Sequence, residues 1–237
     1  MNNARALLPG LYWGLAGMLV AGLAVWLTLV IPLQREQRNL QTYFPAFGLV
    51  VALDQQIARL VSEVDTVARH PALLAAAKAA DARQARQVLD DFSYLEGLVS
   101  SRLLTPGQAR RESLHDRSLS PPLLDMIVRA ERGVPPNLEA HPTNGQLHIH
   151  SVTPIRGSAT GPVQAVLLMT FELQRVSAAL KIDMPEIGKA SLVQGVLDDP
   201  QAVLASAGES DSPAITPIGT FNDAWSLHFQ PGSIFQR

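Results

Sequence analysis

Three histidines lie close together in a stretch whose pattern predicts paired β-strands. His148 and His150 are two residues apart in QLHIHSVT, so on a strand their side chains point to the same face. His141 precedes Asn144-Gly145, a dipeptide typical of tight hairpins, which places it across the turn from the other two. Three imidazoles can bind a metal ion, but Glu139 is the one carboxylate nearby. A small-molecule site and an exposed polar face of a half-buried sheet are the alternatives.

From these alternatives we predict a small-molecule site formed by His141, His148, His150 and Arg156, with no metal ion. No catalytic residue and no cofactor are predicted. The sequence contains neither a Gly-x-Ser-x-Gly elbow nor a glycine-rich phosphate-binding motif. Whether the protein is an enzyme stays open at this point.

Composition excludes several classes of function. The 237 residues carry a net charge of −2, so there is no basic field to attract nucleic acid. Cysteine is absent, which excludes thiol chemistry, disulfides and cysteine-bound zinc. This composition is compatible with the periplasm but does not require it.

The stretch from Ala6 to Gln34 contains no charged residue and is longer than the roughly 20 apolar residues that cross a bilayer. Tyr12 and Trp13 lie near one end and Trp26 toward the other, where aromatic rings anchor a helix in the headgroups. A secretory signal peptide has a shorter apolar core and a small-residue cleavage site. We therefore predict an uncleaved, single-pass anchor in the lipid bilayer. Its orientation does not follow from charge, because Arg5 on one side is nearly balanced by Arg35 and Arg38 on the other.

The anchor is followed by a polar juxtamembrane helix, 35–42, which Pro45 is predicted to interrupt or kink. A second helix is predicted over 47–69, because apolar residues recur there at alternating spacings of three and four. The apolar seam of this helix consists of Val50, Leu53, Ile57, Leu60, Val64 and Val67. Such a seam either pairs two parallel helices in a homodimer or packs a helix onto its own domain.

The remainder of the chain predicts an α+β fold. Helices are expected at 71–80, 82–92 and from Ser120-Pro121 to Gly133, and strands at 94–105, 146–153 and 163–173. A small C-terminal β unit follows, with strands at 190–197, 202–206 and 224–229. The predicted segments are an N-terminal tail and anchor, 1–34, a long-helix region, 35–70, a mixed-sheet α/β domain, 71–182, and the β unit, 183–237.

This layout resembles the Cache-type sensor ectodomains of bacteria, which are related to PAS folds. A more specific resemblance lies in the order of LLDMIVRAERG (123–133), HIHSVTPIRG (148–157), VQAVLLMTFEL (163–173) and WSLHFQPG (225–232). This order is similar to the N-terminal extracytoplasmic region of long, membrane-anchored bacterial phosphomannomutase/phosphoglucomutase. The resemblance implies an inner-membrane protein with its bulk in the periplasm. In that family a catalytic mutase part with a phosphoserine and magnesium follows, and its motifs are absent before Arg237.

The sequence thus predicts a membrane-anchored, non-catalytic sensory or regulatory domain with a small-molecule ligand. One alternative is the front part of a membrane-bound phosphohexomutase whose catalytic half lies downstream. Another is the input half of a histidine kinase, a chemoreceptor or a cyclic-nucleotide signalling protein.

Overall fold

The computed structural model describes residues 26, 31–114, 119–143, 145–158, 160–182, 185–195 and 202–235, with the backbone alone for 31–42. The chain divides into two compact units, Met1–Pro45 and Ala46–Arg237. Most of the predicted anchor, with Tyr12 and Trp13, lies outside the described residues. Trp26 is described, and 53 % of it is exposed.

Helix α1 runs without a break from Ile31 to Ala68, and Pro45 lies inside it. Of the two effects predicted for Pro45, the interruption is therefore wrong, and the kink stays a prediction. A proline inside a helix removes one backbone hydrogen bond, and the bonds on either side keep this helix continuous.

The part of α1 from Tyr43 to Ala68 is the one helix among the described residues that could cross a membrane by length and composition. Its six seam residues are at most 5 % exposed, because they are buried in the unit formed by Ala46–Arg237. They belong to the same hydrophobic cluster as the inner faces of both sheets described below. The structure therefore corresponds to the second alternative for the seam, packing on its own domain. In this fold the seam is not available to a second copy of the chain.

Five short α-helices follow α1 in the described part of the chain. Helices α2, Pro71–Ala79, and α3, Ala82–Asp90, are separated by Asp81. The carboxylate of Asp81 accepts hydrogen bonds from the backbone N–H groups of Arg83 and Gln84 at 3.0 and 2.9 Å, so Asp81 is the N-cap of α3. The other helices are α4, Gln108–Ser113, α5, Pro121–Glu131, and α6, Gln174–Ser177.

The first sheet has the order β1-β4-β3-β2. Its strands are β1, Leu98–Leu104, β2, Glu139–Thr143, β3, Gln146–Arg156, and β4, Val163–Glu172. β3 continues past Pro154, three residues beyond its predicted end. β2 pairs with residues 146–150 of β3 and not with the part that contains Pro154. On that side β3 has a free edge at Pro154, so the missing N–H of the proline removes no hydrogen bond between strands.

The second sheet has the order β6-β5-β8-β7. Its strands are β5, Gly188–Gln194, β6, Ala202–Gly208, β7, Ile218–Gly219, and β8, Trp225–Pro231. Trp225, Leu227 and Phe229 share the buried face, as their alternation predicts. The α+β class is confirmed, although every strand pairing among the described residues is antiparallel instead of mixed.

α1 connects the two sheets. Besides the seam, the carboxylate of Asp54 accepts a hydrogen bond from the backbone N–H of Phe221, at 2.6 Å, in the loop that precedes β8. Glu63 forms an ion pair with Arg175 of α6, which follows the first sheet. A helix at the start of the compact unit is therefore the shared core element of strands that come much later in the chain.

Candidate functional site

The two faces of the first sheet have different partners. Residues of odd number on β3 and β4, such as Ile149 and Phe171, belong to the cluster that contains the α1 seam. Residues of even number, such as Val152 and Leu168, pack with α5 in a second cluster. His148 and His150 have even numbers and therefore lie on the face away from α1.

Strand register brings the three predicted histidines together. His141 pairs with His148, and Glu139 pairs with His150, across β2 and β3. His150 also pairs with Thr170 on β4. Directly opposite residues of antiparallel strands place their side chains on the same face. We call Glu139, His141, His148, His150 and Thr170 the histidine site.

The histidine site is buried. The alternative of an exposed polar face is therefore wrong. All three histidines are classed among the buried polar residues, and His150 is only 1 % exposed. Hydrophobic residues of α5 and the sheet flank them on this face. A buried polar group is costly unless it is hydrogen-bonded, so the contacts of each ring decide what the site can do.

Glu139 is the charged centre of the site. Its carboxylate accepts hydrogen bonds from Arg129 of α5 at 2.6 Å and from Nε2 of His141 at 2.9 Å. Burial alone would raise the pKa of Glu139, but the hydrogen bonds from His141 and Arg129 and the charge of Arg129 outweigh burial and hold this pKa below its ordinary value. With this lowered pKa, Glu139 is ionised at neutral pH. Arg129 also pairs with Asp125 at 2.9 Å, so its guanidinium is held between two carboxylates.

His150 is held as a neutral ring. Its Nδ1 lies 3.2 Å from the hydroxyl of Thr170, and its ring stacks on that of His141 with centroids 6.1 Å apart and an interplanar angle of 19°. Burial and repulsion from His141 lower the pKa of His150 to about 4, because a buried imidazolium loses its hydration. The site therefore combines an ionised carboxylate with the uncharged imidazole of His150 and the hydroxyl of Thr170, a set suited to hydrogen-bonding a small polar molecule.

Within the described part of the chain, no three His, Cys, Asp or Glu side chains are arranged to hold a metal ion. The ring contacts explain why. His141 and His150 face each other through their ring planes, Nε2 of His141 is engaged by Glu139, and Nδ1 of His148 donates to the carbonyl of Gln146 at 3.1 Å.

Arg156 does not belong to the histidine site. It lies at the other end of β3, six residues or roughly 20 Å of strand from His150. Its guanidinium donates to the carbonyls of Gly133 and Gly161 at 2.8 and 3.4 Å. These bonds connect the end of α5 to the loop after β3, which is a structural role different from the predicted ligand contact.

Sequence reasoning missed Arg129 and Thr170. Thr170 is the one hydroxyl residue in the apolar run VQAVLLMTFEL. Once β4 is paired with β3, its even number places it on the same face of the sheet as His148 and His150. Arg129 had no such signal, because it reaches Glu139 from a different element.

Acidification is expected to weaken the fold through His150. The unfolded chain binds a proton at His150 near pH 6.5, whereas the folded chain does so only at about pH 4, so stability is complete above pH 6.5 and decreases as the pH falls toward 4. At 1.36 kcal/mol per pH unit the loss reaches at most about 3 kcal/mol. Urea unfolding at pH 7, 5.5 and 4.5 measures it. His150→Gln should flatten this pH dependence, and the matched control His228→Gln should keep it. An equal slope in His150→Gln and wild type would contradict the assignment.

Comparison with solved structures identifies the fold. The ligand-binding domain of the Pseudomonas fluorescens chemoreceptor CtaA in complex with L-isoleucine superposes with a TM-score of 0.50 at 16 % identity, over 87 % of this chain and 97 % of that domain. This is the fold of a chemoreceptor ligand-binding domain. The L-leucine complex of CtaA gives a TM-score of 0.48 at 14 % identity, over 83 % of this chain and 96 % of that one. The periplasmic domain of Vibrio cholerae LuxQ gives 0.47 at 13 % identity, over 82 % and 98 %.

The sequence matches no protein family, and no curated protein matches it. The sensor-domain part of the sequence resemblance is thus confirmed at the level of the fold. Nothing in the comparisons supports the phosphomannomutase/phosphoglucomutase part.

Proposed function

We propose that this chain is the extracytoplasmic sensory input domain of a membrane-anchored bacterial protein, and that it binds a small molecule at the histidine site. The observation that carries the proposal is the buried polar cluster on the face of the first sheet away from α1. Most of that sheet's interior is apolar, yet this region holds an ionised carboxylate, the neutral imidazole of His150 and a hydroxyl. Groups of this kind, set among apolar side chains, are the usual lining of a small-molecule site.

Amino acids are the first ligand class to consider. The CtaA domain that shares the fold is described in complex with L-isoleucine. An α-ammonium group would be recognised by the Glu139 carboxylate, and neutral imidazole and hydroxyl groups supply further donors and acceptors.

An inner-membrane location with the bulk in the periplasm is the corresponding proposal for topology. It is supported by the uncharged stretch Ala6–Gln34 and by the fold. The output part would be that of a chemoreceptor, a histidine kinase or a cyclic-nucleotide enzyme. The phosphohexomutase alternative is not proposed, because no observation favours it.

A thermal-shift series on the full chain in detergent, with each of the twenty amino acids added in turn, tests the proposal. A ligand at one hundred times its Kd stabilises the folded state by about 2.7 kcal/mol, which corresponds to a Tm rise of roughly 5–10 °C for a domain of this size. Wild type is expected to show such a rise with at least one amino acid. If none raises the Tm of wild type, the proposal of an amino-acid sensor is rejected.

Two variants localise the effect. Thr170→Val keeps the volume of the side chain but removes the hydroxyl beside His150, and should lose most of the shift. Ser191→Ala is the matched control, because the Ser191 hydroxyl pairs, within the described residues, with Ser206 on the second sheet. A shift that Thr170→Val retains in full would place the ligand elsewhere.

A further inference from the structure

β2 is an edge strand whose outer side is occupied by a side chain instead of another strand. Alternate residues of an edge strand direct both N–H and C=O away from the neighbouring strand. Ala140 does so, and Gln194 of β5 binds both groups. The Gln194 side-chain oxygen accepts from the Ala140 N–H at 2.7 Å, and its NH₂ donates to the Ala140 carbonyl at 3.2 Å. A primary amide thus pairs with the strand as a peptide group would.

The rest of the second sheet fixes this amide in place. The indole Nε1 of Trp225 donates to the same Gln194 oxygen at 2.9 Å. The Asn222 amide donates to the carbonyl of Leu138 at 2.8 Å, two residues before Ala140. Gln194, Trp225 and Asn222 are all buried, so water cannot replace these bonds without opening the interface.

Ala140 lies between the two β2 members of the histidine site. Glu139 and His141 flank it on the opposite face of the strand, where they contact each other and where His141 stacks on His150. A displacement of Ala140 therefore moves both residues relative to His150.

We propose that Gln194 is a positioning residue of the histidine site: by holding both backbone groups of Ala140, it fixes Glu139 and His141 against His150. The second sheet is then part of the binding apparatus, although it contributes no residue to the site. This proposal rests on the function proposed above, but its test uses no amino acid. A failure of the positioning role is therefore distinguishable from a failure of ligand binding.

Side-chain ¹⁵N–¹H NMR of the six histidines, in the full chain labelled with ¹⁵N-histidine in detergent micelles, measures the role directly. Gln194→Met keeps the length of the side chain but removes its hydrogen bonds to Ala140. We expect the measured pKa of His150 to rise by about one unit in this variant, because the ring loses its stacked neighbour and becomes more hydrated. The Nε2–H signal of His141 should shift as its bond to Glu139 loosens.

Trp225→Phe is the matched control, because it perturbs the second sheet and removes one bond to Gln194 but leaves the Gln194–Ala140 pair. Its histidine titrations should therefore differ from those of wild type much less than the titrations of Gln194→Met do. If Gln194→Met titrates like wild type, or if Trp225→Phe moves His150 as far as Gln194→Met does, Gln194 serves only to join the sheets and the proposal is overturned.

If Gln194→Met does not fold, the coupling is measured by changing the histidine site and observing Gln194. In ¹⁵N-glutamine-labelled protein, the Gln194 side-chain signals are those that move in Trp225→Phe. Glu139→Gln, which weakens the contact with His141, should shift the same signals. Unchanged Gln194 signals in Glu139→Gln would also overturn the proposal.

Discussion

Aspartate at both Ile57 and Val64 is expected to unfold the domain. Both side chains lie in the buried seam of α1, in the hydrophobic cluster shared with the two sheets. A buried carboxylate without a partner costs about 4 kcal/mol or more at each position, and two such losses approach the whole stability of a typical domain, about 5–15 kcal/mol. Circular dichroism and urea unfolding of the full chain would measure the loss.

The same helix provides a matched control. Gln55 and Ser62 have the same seven-residue spacing, but both are exposed. Gln55→Asp with Ser62→Asp adds the same two charges to solvent and should change the unfolding free energy by less than about 1 kcal/mol. A seam double variant that stays folded with wild-type stability would show that α1 does not pack as described.

Alanine at Gly188 should also cost most of the stability of the second sheet. Gly188 has φ of +133°, and an added Cβ would lie 2.1 Å from the backbone oxygen of Gln230 and 2.7 Å from the nitrogen of Gly232. These are backbone atoms of the paired strand end, so no side chain can rotate away, and we expect a loss of about 3 kcal/mol or more.

Gly195 is the control for this substitution, since it follows the same strand and a Cβ there would meet nothing within 4 Å. Gly195→Ala should leave the urea midpoint nearly unchanged. Equal midpoints for the two alanine variants would mean that β5 and β8 do not meet as closely as described.

Local signals in the sequence were sufficient where one segment determines its own structure. Asp81 at the start of α3, the alternation at Trp225, Leu227 and Phe229, and the apolar run of β4 each specify their element. Pro45 is the exception, because a rule about one residue was outweighed by the helix on both sides of it.

Partners could not be predicted in the same way. The heptad spacing at Ile57 and Val64 indicates that this face of α1 is buried. It does not identify the packing partner, because either a second helix or a pair of sheets can cover such a face. Likewise, the two-residue interval of His148 and His150 shows that they share a face, not what covers it. Gln194 is 54 residues from Ala140, and an isolated amide in a strand gives no local sign of a distant backbone partner.

The contact between Asp54 and Phe221 has a consequence for biogenesis. The two residues are 167 positions apart, and synthesis adds about 5–20 residues per second. The loop preceding β8 is therefore synthesised roughly 8–33 s after the helix. Contacts of such long range make folding slow. During that interval the apolar stripe of α1 lacks its partners in the second sheet, so the domain can reach its native state only after β8 has been synthesised, and the stripe needs protection against aggregation until then.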